Sequence, residues 1–165
     1  MSEIAAIPAR LMRPARLRRL TAAEQALGAE MFGAGLNASR VRLFAIPGWS
    51  RAFVAGPSLI VWPARAALLD FGAQGVPVRL QGVFVHELTH VWQAQNGINL
   101  LMAKLRSGDD AAAYAYDLAG GAAFTHLNIE QQAMVVEHAF LASRGAHTPF
   151  AATDYAAAQA AWRRV

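Results

Sequence analysis

The sequence predicts an α+β fold, mostly helical, with a small antiparallel three-stranded sheet beside one central helix. Three observations carry this expectation. Thr21-Ala-Ala-Glu24 is a capping box that opens a helix. Between residues 41 and 62 the apolar pattern shortens to three runs, divided by Pro47-Gly48 and Gly56-Pro57. From residue 79 onward, apolar and alanine-rich stretches return to helical lengths, and alanine favours helix.

In the capping box the Thr21 oxygen accepts from a free backbone N–H and Glu24 reaches back to the chain. That helix runs to Gly33 or Gly35. Val41–Ile46, Arg51–Ala55 and Ser58–Trp62 read as strands, and Pro63 stops the third. Links of two to four residues are too short for a parallel crossover, so antiparallel pairing is expected. Gly72 to Pro77 reads as a loop. A helix from Arg79 to Gln95 then stops at Asn96-Gly97. A further helical stretch spans Asn99 to Arg106, and Ser107 to Gly121 has no clear pattern. Asn128 is an N-cap with Gln131 three residues on, which predicts a helix to Ser143. An alanine-rich helix from Ala151 to Trp162 completes the chain.

A chain of 165 residues fits one domain, expected over residues 21–165. The formal charge of +4 is concentrated before it: Arg10, Arg13, Arg16, Arg18 and Arg19 face Glu3 alone in the first twenty residues. Residues 1–20 therefore read as a basic, flexible tail, either solvated or in contact with an acidic partner. No aromatic residue interleaves the arginines, which counts against nucleic acid. Pro8 and Arg10 interrupt the stretch from Ile4 to Met12, so no secretory h-region is expected. No run of about twenty apolar residues exists, so no transmembrane segment is expected. The expected location is cytoplasmic, with export by a signal-peptide-independent route as the alternative.

The chain has no cysteine, so a metal site must use His, Asp, Glu or water. His86-Glu87-Leu88-Thr89-His90 supplies such a site. Residues i and i+4 lie one above the other on a helix, so both imidazoles can grip one zinc ion. Glu87 stands beside the open coordination position as general base. Zinc lowers the pKa of bound water to about 7. Val83, Phe84, Val85, Leu88, Val91 and Trp92 surround the motif, which predicts a buried helix. Buried histidines and a buried glutamate need a partner, and a metal provides one.

A catalytic zinc takes three protein ligands and keeps one position for water. Gln93 and Asn96 stand where a longer histidine motif would need Gly and His, so the third ligand lies downstream. Glu130, in the first turn of the helix opened by Asn128, is the first candidate. Glu137 shares its face as a supporting partner or as the ligand itself, and His126, His138 and Asp154 remain alternatives. Tyr114 and Tyr116 are candidates for stabilising an oxyanion, against a packing role. Trp62, Trp92 and Trp162 read as core, and His147 as an ordinary histidine.

The segment Phe84 to Gln93, followed by Glu130-Gln-Gln-Ala133, resembles the bacterial Vgr-related protein family. Leu20 to Glu24, Val41-Arg-Leu43 and the Tyr114-x-Tyr116 pair share the likeness, which extends from Leu20 to about Leu141. The chain is also similar to zincin-like domains with HExxH and a later ExxA helix. That resemblance implies a zincin-like fold, Glu130 as third ligand beside His86 and His90, and Zn2+ as cofactor. Met134 departs from the broader group, in which an acid often follows the alanine. The resulting expectation is a zinc metallopeptidase that hydrolyses a peptide or protein substrate. The alternatives are a zinc-binding interaction module without efficient turnover, or a secretion-associated effector. The third strand, Ser58 to Trp62, is the expected sheet edge beside the cleft, where an extended peptide can add as a further strand.

Overall fold

The computed structural model describes residues 10–108, 110–119 and 123–163. Among them the strands form one four-stranded mixed sheet of order β1-β2-β4-β3. Strand β1 (Leu17–Arg19) runs antiparallel to β2 (Arg42–Ile46). Strand β2 runs parallel to β4 (Leu59–Pro63), with Leu43 opposite Ile60 and Ala45 opposite Trp62. The short β3 (Phe53–Val54) closes the other side of β4, antiparallel to it.

The expected three-stranded antiparallel sheet is thus corrected in two ways. The strands assumed to be sequential neighbours are not all adjacent, because β4 inserts between β2 and β3. The whole connection 47–58, with β3 inside it, serves as the crossover, and a dozen or so residues suffice for that. The fourth strand, β1, was not expected. Leu17, Arg18 and Arg19 show no apolar run, and an edge strand needs none.

Strand β1 also corrects the expected flexible tail. Leu11 bridges Leu68, Met12 is buried, and Arg18 reaches into the protein. Arg10 to Leu20 is therefore part of the domain, and residues 1–9 lie outside the described ones.

Helix α1 (Ala22–Phe32) starts at the Thr21 capping box. Its Glu24 is wholly buried and takes four hydrogen bonds. Arg18 donates two, at 2.6 and 2.7 Å, and the backbone N–H groups of Thr21 and Phe71 donate one each at 2.9 Å. One carboxylate thus ties β1, α1 and the loop after β4 together. Gly72 lets that loop lie on the helix, since a Cβ there would sit 2.7 Å from the Ala23 carbonyl carbon.

The long helix α2 (Val78–Gln95) is the one expected from residue 79, and it buries Phe84, Val85, Leu88, Val91 and Trp92. Phe71 stacks on Phe84 at 4.9 Å and joins the helix to the sheet core through Trp62. Helices α3 (Leu100–Ser107) and α4 (Ala111–Tyr114) follow, capped by Asn99 and Asp110. Helix α5 (Ile129–Ser143) opens with the Asn128–Gln131 capping box and packs along α2. Gly82 sets the closeness of that packing, because a Cβ would meet Leu141 at 3.0 Å. Helix α6 (Ala152–Trp162) closes on α1 through fully buried Trp162, whose indole N–H donates to Met31 O at 3.0 Å. No helix among the described residues is long and apolar enough to cross a membrane.

Removing Arg18 would leave the Glu24 carboxylate buried without its cation. Arg18→Ala is expected to lower unfolding stability by roughly 3 kcal/mol or more. Urea denaturation checks this, and a loss below about 1 kcal/mol would show that β1 is not anchored as described.

Candidate metal centre

His86 and His90 lie one turn apart on α2, both nearly buried, with ring centroids 5.0 Å apart and planes crossed at 79°. Glu130 enters from the first turn of α5, where the Asn128–Gln131 box sets the start of the helix. Its Oε2 stands 3.6 Å from His86 Nε2 and 3.5 Å from His90 Nε2. The ligand atoms of these three residues lie within 4.8 Å of one another, a group that can hold a metal ion. A tetrahedral ion with bonds of about 2.0–2.1 Å separates its ligand atoms by roughly 3.4 Å, close to the two distances found.

The imidazoles are oriented from behind. His86 Nδ1 lies 3.1 Å from a carboxylate oxygen of Glu137, which can only accept from it. His90 Nδ1 lies 2.8 Å from Gln93 Oε1. The other end of the Gln93 amide donates to Ile129 O at 3.0 Å and to Gln132 Oε1 at 2.9 Å. Gln132 in turn donates to Phe124 O and Leu127 O. This chain of acceptors sets the Gln93 amide with its oxygen toward His90, so His90 Nδ1 is the donor. Both rings then present Nε2 to the point facing Glu130, which is the tautomer that a metal needs.

The electrostatics agree with a site built around positive charge. Burial opposes a charge on His86, but hydrogen bonds to Glu130 and Glu137 outweigh it and raise its pKa to about 9. Burial likewise works against a charged Glu130, yet His86, His90 and Lys104 hold its carboxyl well below the usual range. Lys104 Nζ, from α3, donates to Glu130 Oε1 at 2.6 Å and leaves Oε2 toward the histidines.

Glu87 lies beside this group, nearly buried, and burial pushes its carboxyl up. Its Oε2 has no hydrogen-bond partner among the described residues. Both Glu87 and the three-residue group border a cavity of about 570 Å³. Strand β3 with its flanks, from Arg51 to Pro57, lines it as well. The strand beside the cleft is therefore β3, and the expected edge, Ser58 to Trp62, lies mostly in central strand β4.

Of the other expected residues, Tyr114 lines the cavity and accepts from Lys104 at 3.0 Å and Arg51 at 3.1 Å. Tyr116 does not. Its hydroxyl meets His138 Nδ1 at 2.5 Å and the Tyr155 hydroxyl at 2.8 Å, within the packing of α5 and α6. Of the two roles weighed for Tyr116, the oxyanion one is corrected in favour of packing: two positions along an irregular segment turn the side chain to another wall. Among the alternatives for third ligand, Glu137 stands behind His86, and His126 is exposed. Asp154 caps its own helix through Ala151 N–H, and His147 is exposed. Trp62, Trp92 and Trp162 are buried, as their surroundings predicted. Gln93, Gln132 and Lys104 were not expected at the site. Gln93, three residues after His90, carried a local signal in its helical spacing, whereas Lys104 meets Glu130 from a separate helix.

No protein-family model matches the sequence. The chain is 32% identical over 136 residues to the type VI secretion system spike protein VgrG2b of Pseudomonas aeruginosa, covering 75% of this chain. It spans 13% of that protein's length. The solved effector domain of Pseudomonas aeruginosa VgrG2b superimposes with a TM-score of 0.66 and 30% identity, over 87% of this chain and 82% of that one. The chain belongs to the VgrG2b effector-domain family. The resemblance to Vgr-related proteins read from the HExxH and ExxA segments thus extends through the fold.

Two outcomes follow from the geometry. Below about pH 9 metal-free His86 carries a proton, and a metal needs its neutral Nε2. Zinc binding at pH 7 should therefore release about one proton, and affinity should rise about tenfold per pH unit toward 9. Calorimetry in buffers of different ionisation enthalpy measures this, and zero release would contradict the assignment. Glu137→Ala should weaken zinc affinity about 10- to 100-fold through loss of orientation, and Glu130→Ala should weaken it more. Competition with a chromophoric chelator ranks the two.

Proposed function

We propose that this chain is a secretion-associated effector domain that acts as a zinc-dependent, zincin-like peptidase. The observation that carries the chemistry is the convergence of His86, His90 and Glu130 on one point, beside a buried carboxylate with an unpartnered oxygen. The residues fit the metal. Two imidazoles and a carboxylate, without thiolate, form a donor set typical of catalytic zinc with an open fourth position. A bound zinc ion would supply Lewis acidity toward water and a substrate carbonyl.

His86, His90 and Glu130 would hold the ion, with Glu137 and Gln93 setting the two rings. Glu87 takes the proton released as water attacks the carbonyl carbon, and delivers it to the departing amine as the C–N bond breaks. Burial raises the Glu87 pKa and suits it to both halves of that transfer. Tyr114, which borders the same cavity, would donate to the oxyanion in this reading. The free edge of β3 accepts an extended substrate as a further strand and lays its backbone along the cleft. The cavity volume suits a few residues of peptide.

The name of the relative supports the effector part of the reading, and export without a signal peptide comes with it. The competing reading, a zinc module without turnover, fits less well. A structural metal gives no reason to keep Glu87 buried with an oxygen unpartnered, which costs about 1–3 kcal/mol or more.

Glu87→Gln decides between them. The amide keeps the shape of the side chain and cannot accept the proton. Zinc content should be unchanged while cleavage of a mixed peptide library falls by about 100-fold or more. A variant as active as the unmodified protein would remove Glu87 from the reaction.

A further inference from the structure

We propose that Leu101 on α3, together with Phe53 on β3, takes a bulky apolar side chain of the substrate, so that peptides carrying leucine- or phenylalanine-like residues are selected. This rests on the peptidase reading above and names the substrate class for that site. Two separate stretches supply the apolar surface. Phe53 and Val54 come from edge strand β3, whereas Ile98 and Leu101 come from the link after α2 and the first turn of α3. Ile129, next to Glu130 at the start of α5, lines the same cavity. That cavity is also bordered by Glu87, whose buried Oε2 has no partner among the described residues. An unpartnered buried oxygen and a sheet edge in one cavity point to a ligand, and the rest of the wall gives its chemistry.

Leu101 is 71% exposed and Phe53 39%. Helix α3 buries none of its residues, so Leu101 contributes little to the core. Trp49, also exposed, meets Phe53 edge-on at 6.0 Å and enlarges the apolar patch. Large apolar groups left in water gain from being covered, and a contiguous patch of them beside a cavity marks a binding surface. A substrate side chain that enters the cavity removes water from Leu101 and Phe53 as well as from itself.

A charged side chain has less to gain. Lys104 is already ion-paired with Glu130 at 2.6 Å, and Arg51 is bonded to the Tyr114 hydroxyl at 3.1 Å. A substrate charge beside them would leave water and compete with bonds that already exist. An apolar side chain disturbs none of these bonds.

The test uses the zinc-loaded Glu87→Gln protein, which is designed to bind without cutting. Fluorescence anisotropy compares labelled glycine-serine hexapeptides whose central pair is leucine, phenylalanine, alanine, aspartate or lysine. The leucine or phenylalanine peptide should bind about tenfold tighter than the alanine one, and the charged peptides no tighter than alanine. Adding Leu101→Ser should remove most of that preference and leave the alanine peptide unchanged. Leu105→Ser is the control: Leu105 lies on the same helix, is also 71% exposed and does not line the cavity, so the preference should persist. Phe53→Ser, from the other stretch, should act in the same direction as Leu101→Ser. Equal affinities throughout, a preference for a charged peptide, no detectable binding of any peptide, or equal effects of Leu101→Ser and Leu105→Ser would overturn the proposal. Hydrolysis of the same peptides by the unmodified protein separates the two readings. Cleavage without side-chain preference defeats the apolar subsite and leaves the peptidase standing, whereas apolar-selective binding without cleavage does the reverse.

Discussion

Helices α2 and α5 meet along a seam that holds both apolar contacts and the most demanding polar groups of the molecule. Val85, Leu88, Val135 and Val136 are fully or nearly fully buried, and Gly82 lets Leu141 come close to the α2 backbone. The same seam encloses His86, His90, Gln93, Glu130 and Gln132, none of which is exposed by a tenth. Polar groups removed from water must find partners within the protein. Here they find them across the seam, His86 with Glu137 and Gln93 with Ile129 and Gln132. The apolar packing thereby sets the helix separation, and the polar pairs set the register at which Glu130 faces the two histidines.

Two buried glutamates show how differently one side chain can be treated. Glu24 is saturated, with two bonds from Arg18 and two from backbone N–H groups, and it joins three segments of the fold. Glu87 is buried to a similar degree but keeps one oxygen without a partner and borders a cavity. The first arrangement contributes cohesion. The second keeps a costly buried group in a residue that lines the cavity, and such uncompensated groups mark places where a fold serves something other than its own stability.

The mixed sheet matters because it decides which strand borders that cavity. Strand β4 lies between β2, which pairs along its whole length, and β3, which pairs with Ile60 and Val61. The two-residue β3 is left as the edge, with Phe53 and Val54 lining the cleft. A strand this short exposes little unpaired backbone to chance association, yet keeps an edge available at the cleft.

The helices other than α4 were legible in the chain because the causes of their starts are local. The Thr21 and Asn128 capping boxes satisfy nearby N–H groups, and His86 and His90 share a face by helical spacing alone. Glu130 could be named as a candidate because it opens the helix after Asn128, but nothing local separated it from Glu137. The α2–α5 packing settled their places, with Glu130 in front of the imidazoles and Glu137 behind one of them. The parallel pairing of β2 with β4, the reach of Arg18 to Leu68 O, and the approach of Lys104 to Glu130 depend on residues far apart in the chain. Short-range periodicity carries no information about such contacts. They follow from which faces must be buried together, and that is decided when the whole chain is packed.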